Sequence, residues 1–158
     1  TSEIQRLIGR SLRAVCDLHA LGERSIAVDC DVLQADGGTR TMAITGALIA
    51  LVDALESIRH ELPNPQLSPL QDTIAAVSVG VVDGQPLLDL DYGEDARATV
   101  DMNVAMTGGG RLVEVQASGE MASFTEAELQ ALLSLARQGI VQLTAVQRQV
   151  LGQQWPFG

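Results

Sequence analysis

A chain of 158 residues that is 46% hydrophobic but only 3% aromatic can build one domain around an aliphatic core, and it lacks the rings for stacking bases on an aromatic platform. No apolar run is long enough to span a membrane and no charged-then-apolar leader opens the sequence, so a cytoplasmic protein without a membrane partner is expected. A net charge of −10, with ten arginines and no lysine, argues against a uniformly basic nucleic-acid surface. The two cysteines, Cys16 and Cys30, have no metal-like spacing and are expected to be reduced core residues.

The first predicted element is an amphipathic helix over residues 3–20, with Ile4, Leu7, Ile8, Leu12 and Val15 as its apolar stripe. Thr1, Ser2 and Glu3 can cap it. Arg6, Arg10 and Arg13 recur at helical spacing and line one face, either as a solvated or salt-bridging stripe or as a surface for an anionic substrate. Leu21-Gly22-Glu23 predicts a helix end and turn. Residues 25–33 alternate as a strand does, with Ile26, Val28, Cys30 and Val32 on one face and Asp29 and Asp31 on the other. A Gly37-Gly38 turn then leads into a long, largely apolar helix from about Thr41 to Glu61. Proline punctuates a loop over 62–72. Ile74–Val82 is apolar throughout, which predicts a strand buried on both faces. Asp83-Gly84 predicts a two-residue hairpin turn to a strand over 86–91. An acidic turn over 92–97 precedes two more strands, 98–107 and 111–118, joined by a Gly108-Gly109-Gly110 tip. Thr125-Glu126-Ala127-Glu128 is a capping box that opens a last helix reaching residue 151, with Phe124 placed to staple onto Leu129. The expected fold class is α+β, helices covering one side of a mixed sheet. Residues 1–151 form one domain and 152–158 a flexible tail.

Two clusters carry candidate chemistry. Strand, glycine turn and helix N-terminus together expose backbone N–H groups and a favourable dipole to an oxyanion. Gly38, Thr39 and Arg40 sit at that point, and Arg40 adds a planar cation suited to phosphate oxygens. No lysine follows, so the motif is not a P-loop. The same residues also suit a plain capped turn bearing a surface arginine. The second cluster holds five carboxylates between Asp89 and Asp101. A turn over 92–97 brings Asp95 near Asp101, where the pair can hold a hard divalent ion such as Mg²⁺ or supply a general acid; a solvated acidic loop is the alternative. His19 and His60 at helix ends have no partner pattern for nucleophilic catalysis, and Ser78 in Val-Ser-Val-Gly is not a nucleophile elbow. A phosphate cradle beside a carboxylate pair implies phosphoryl chemistry, and if inorganic phosphate is held, the reaction is phosphorolysis.

The segments 3–14, 29–41, 76–80, 101–104 and 113–116 resemble, in order, those of the ribonuclease PH family. The resemblance runs to about Leu151 and implies a ribonuclease PH-like fold of the ribosomal protein S5 domain 2-like class. It implies a phosphate-dependent 3′ exoribonuclease that trims tRNA precursors, acts on other RNA including rRNA, releases nucleoside diphosphates and adds nucleotides in reverse. It assigns Gly38, Thr39 and Arg40 to phosphate and Asp95 and Asp101 to the reaction centre, with Mg²⁺ as the ion and inorganic phosphate as co-substrate. In related polynucleotide phosphorylases a lysine stands two positions beyond the second aspartate; here that position is Asn103, as in ribonuclease PH. The implied assembly is a hexameric ring, a trimer of dimers. The resemblance also implies a preceding N-terminal segment with the first strands of the fold, RNA-guiding arginines and a phosphate-contacting arginine just before Thr1. The fold is therefore expected to be N-terminally incomplete and that segment to be a partner. A catalytically inactive structural or RNA-binding ring subunit, and a binder of small phosphate esters, are the competing readings.

Overall fold

The computed structural model describes residues 2–158; the Thr1 part of the expected helix cap lies outside them. The centre of the molecule is β1 (Ile74–Val82), every residue of which is buried. It pairs antiparallel with β2 (Gln85–Leu88) on one side and with β3 (Val100–Thr107) on the other, and β4 (Leu112–Gly119) pairs antiparallel with β3. The order is β2-β1-β3-β4. The β1–β2 turn has Asp83 at φ 50° and Gly84 at φ 77°, the left-handed pair that a two-residue hairpin requires.

Helices cover both faces of this sheet, not one as expected. Val77, Val79 and Val81 pack with Leu132, Ala136 and Ile140 of α5 (Glu126–Leu151). Ile74 and Ala76, on the opposite face, join Ile44, Leu48 and Leu51 of α3 (Thr39–Ser57) and Leu7 and Leu12 of α1 (Ser2–Arg13). The apolar character of β1 on both faces is the cause: each side needs a cover. Because β2 pairs only with residues 79–82 of β1, the first half of β1 has backbone groups with no strand on that side. Side chains satisfy them. Thr45 Oγ1 accepts from Ala76 N at 3.1 Å, and Gln147 Nε2 donates to Ile74 O at 2.9 Å and to Thr45 O at 3.0 Å. Gln147, fully buried on α5, thus ties both helices to the strand.

Several expectations need correction. The helix predicted over 3–20 is broken: α1 ends at Arg13, Cys16 bridges to Leu70, and Asp17 caps a short α2 (Leu18–Leu21), accepting from His19 N at 2.9 Å. Residues 25–33 carry no ladder, so every ladder among the described residues is antiparallel and no mixed sheet forms. Leu33 is 94% exposed and Cys30 is exposed rather than in the core, because alternation specifies two faces and does not supply a partner strand. The acidic turn is a helix, α4 (Tyr92–Arg97), whose capping box pairs Asp91 with Glu94. Finally, residues 152–158 form a short 3₁₀ turn at Gly152–Gln154 and then pack Trp155 and Phe157, ring centroids 5.1 Å apart, against the α3 side of the core.

Candidate active site at the head of helix α3

Helix α3 starts at Thr39, two residues earlier than expected, so Thr39 and Arg40 are its first helical residues. Its N-cap is Gly38, in the left-handed region at φ 72°, and no side chain caps the helix. The first-turn N–H groups are therefore available to an anion. The turn is held from below. Asp36 Oδ1 accepts from Gly37 N at 2.9 Å and from Tyr92 N, the first residue of α4, at 2.7 Å. Thr41 Oγ1 donates to Gly38 O at 2.8 Å. One carboxylate thus locks the glycine turn to the helix that carries Asp95. A methyl group on Gly37 would overlap the Leu90 carbonyl. Gly37→Ala is expected to cost about 1–3 kcal/mol in urea unfolding, because the turn must move away from that carbonyl.

Asp101 lies on β3 directly across from Gly80, on the α3 side of the sheet. Its carboxyl is pushed above the ordinary 3.8, first by burial and then by the Asp95 carboxylate, with a further push from Glu120; Arg40 pulls in the opposite direction. Arg40, Asp95 and Asp101 therefore share one electrostatic environment. Arg40 is steered by Glu3 of α1 at 3.8 Å. A shallow cleft of about 580 Å³ opens beside the pair, lined by Asp95, Arg97, Thr99, Asp101, Glu120 and Met121. Among the described residues no group of three or more His, Cys, Asp or Glu side chains is arranged to hold a metal. Two carboxylates whose mutual repulsion Arg40 offsets only in part still fit Mg²⁺, which takes one or two protein carboxylates and completes its shell with water and substrate phosphates.

Of the arginine stripe, Arg10 is committed to Glu114 on β4 through two bonds of 3.1 and 3.3 Å. Three contributors escaped the sequence reading. Asp36, just before the glycine pair, had the signal of an Asx turn. Glu120 had none, since only the β3–β4 hairpin brings it to Asp101. Ser78 was visible as the lone hydroxyl in an apolar strand; it is 5% exposed and its Oγ has no hydrogen-bond partner, a state that costs about 1–3 kcal/mol.

Comparison with known proteins places this geometry. Residues 1–55 match the model of the 3′ exoribonuclease family, domain 1, and residues 72–139 that of domain 2. Ribonuclease PH of Moorella thermoacetica is 59% identical over 152 residues, covering 96% of this chain and 60% of that protein. Ribonuclease PH of Syntrophomonas wolfei subsp. wolfei is 56% identical over 152 residues, covering 96% and 63%. The chain thus spans under two thirds of the length of both relatives. The crystal structure of rice Rrp46 superposes with a TM-score of 0.69 at 17% identity, covering 95% of this chain and 65% of that one, which establishes a common fold. With both domain models matched in order along its length, the chain belongs to the 3′ exoribonuclease family.

Proposed function

We propose that this chain carries the reaction centre of a phosphate-dependent 3′-to-5′ exoribonuclease, a ribonuclease PH, which trims the 3′ ends of tRNA precursors and releases nucleoside diphosphates. The carrying observation is the uncapped, arginine-bearing head of α3 beside a carboxyl of raised pKa. The N–H groups of the Gly38 turn and first α3 residues, with the Thr39 hydroxyl and Arg40 guanidinium, hold inorganic phosphate. A phosphate oxygen attacks the terminal phosphodiester in line, and the bond to the 3′ oxygen of the next nucleotide breaks. Asp101, which holds its proton more tightly than an ordinary aspartate, donates it to that leaving oxygen. Run backwards, the same steps add a nucleotide and release phosphate.

Asp95, together with Asp101 in its ionised form, would hold Mg²⁺, which would supply neutralisation of charge on the transferring phosphoryl group; with Asp101 protonated, Asp95 would remain the carboxylate ligand. The identity with ribonucleases PH supports RNA as substrate, a homo-oligomeric hexameric ring built as a trimer of dimers, and a cytoplasmic setting. No helix among the described residues is long and apolar enough to cross a membrane. Exposed Val32 and Leu33 fit burial against further protein.

The test is phosphorolysis by the full-length protein of a tRNA bearing extra 3′ nucleotides, with Mg²⁺ and with or without inorganic phosphate. Phosphate-dependent release of nucleoside diphosphates is expected. A folded, full-length assembly that releases none, or releases monophosphates by hydrolysis, would overturn the reading and favour an inactive ring subunit.

A further inference from the structure

Ser78 stands in the middle of β1, flanked by Val77 and Val79, and faces the α3 side of the sheet across from Asn103. Its backbone carbonyl accepts from Asp89 N at 2.8 Å. Its hydroxyl is not used. The oxygen is buried without a partner, and it lies 3.3 Å from the position that a β-carbon on Gly38 would occupy. Thr41 Oγ1 is equally close to that position, but its proton is committed to Gly38 O. The Asp89 side chain reaches within 3.9 Å of the same point. Of the described side chains nearest that position, Ser78 is the one with an unspent donor.

We propose that the Ser78 hydroxyl is an additional ligand of the phosphate co-substrate, donating a hydrogen bond from the sheet side to the oxygen lodged deepest at the Gly38 turn. This rests on the reading that the head of α3 holds phosphate, and it adds a contact from a different element. The helix N–H groups and Arg40 approach the anion from α3; Ser78 approaches from β1. Ligands from two rigid elements fix the orientation of a tetrahedral ion, which one helix end alone leaves free to rotate. The glycine at 38 follows from the same geometry, because any side chain there would stand between the hydroxyl and the anion. A hydroxyl on the floor also explains why an otherwise apolar strand spends a position on serine.

The experiment uses the full-length protein and its Ser78→Ala, Ser78→Cys and Arg40→Ala variants. Binding of inorganic phosphate is measured by calorimetry, and KM for phosphate and for RNA separately in phosphorolysis. Ser78→Ala is expected to raise the Kd and KM for phosphate about tenfold or more, with KM for RNA unchanged and thermal stability without phosphate equal or higher. Ser78→Cys, a weak donor of similar size, is expected to fall between the two. Unchanged phosphate affinity in Ser78→Ala, alongside a large loss in Arg40→Ala, would overturn the role of Ser78 and leave the phosphate site standing. If neither variant changes phosphate affinity, or the parent binds none, the site itself is wrong and this proposal goes with it. Equal losses in phosphate and RNA affinity in Ser78→Ala would mark a general packing defect and also overturn it.

Discussion

Asp101→Asn is expected to slow phosphorolysis about 10²–10⁴-fold, the usual worth of a positioned general acid, while making the protein more stable at neutral pH. Both effects come from one property. Burial, followed by the Asp95 carboxylate, pushes the Asp101 carboxyl above its ordinary 3.8. In the unfolded chain the group ionises at that ordinary value. Between 3.8 and the raised native value the folded state binds more protons than the unfolded state, so stability falls as pH rises through this window. Below it both states are protonated and the difference vanishes. Asparagine keeps the shape and removes the charge. In thermal melts without divalent ions, the variant should melt higher than the parent at pH 7, by about 2–4 °C for each kcal/mol of repulsion relieved. The gain should disappear as pH drops below the ordinary aspartate value. Identical melting at pH 7 would show that Asp101 carries no uncompensated charge, and retained turnover would remove it from the reaction.

Arg40→Ala is expected to raise KM for phosphate by roughly ten- to a hundredfold, the equivalent of one lost charge-assisted contact at about 1.5–3 kcal/mol. Arg40→Lys should recover only part of this, because an ammonium lacks the planar fork. A second consequence separates this residue from a mere phosphate clamp. Arg40 is the cation that holds the Asp101 carboxyl down. Without it the carboxyl rises further, so the alkaline limb of the kcat profile, where Asp101 loses its proton, should move to higher pH. A changed phosphate KM with an unmoved pH profile would mean that Arg40 and Asp101 act independently.

Much of the framework could be read from local chemistry. Asp83-Gly84 specified its hairpin because two left-handed residues in a row suit few other sequences. Thr125 and Glu128 formed the expected reciprocal cap, with Thr125 Oγ1 accepting from Glu128 N at 3.1 Å. The apolar run of β1, interrupted by Ser78, announced a central strand. Residues 25–33 misled for an equally local reason: alternation records which side chains share a face, and ladder formation depends on a neighbour that this pattern does not name. The break after α1 was hidden because Asp17 reads as one more helix residue until the bridge from Cys16 to Leu70 turns the chain.

The sequence alone determined the residue types of the site. Two glycines permit a close turn, one arginine beside them is suited to an anion, two aspartates stand six positions apart, and a single serine interrupts an apolar strand. Tertiary structure decided what those residues do to one another. Only the packing of α3 across β1 sets the Ser78 hydroxyl beneath Gly38. Only the Asp36 bond to Tyr92 fixes the glycine turn against α4. Only the β3–β4 hairpin brings Glu120 to Asp101 and raises its carboxyl together with burial and Asp95. Turns and caps depend on residues within a few positions of each other, whereas burial and charge coupling depend on distance in space, which the chain acquires only when helices cover both faces of the sheet.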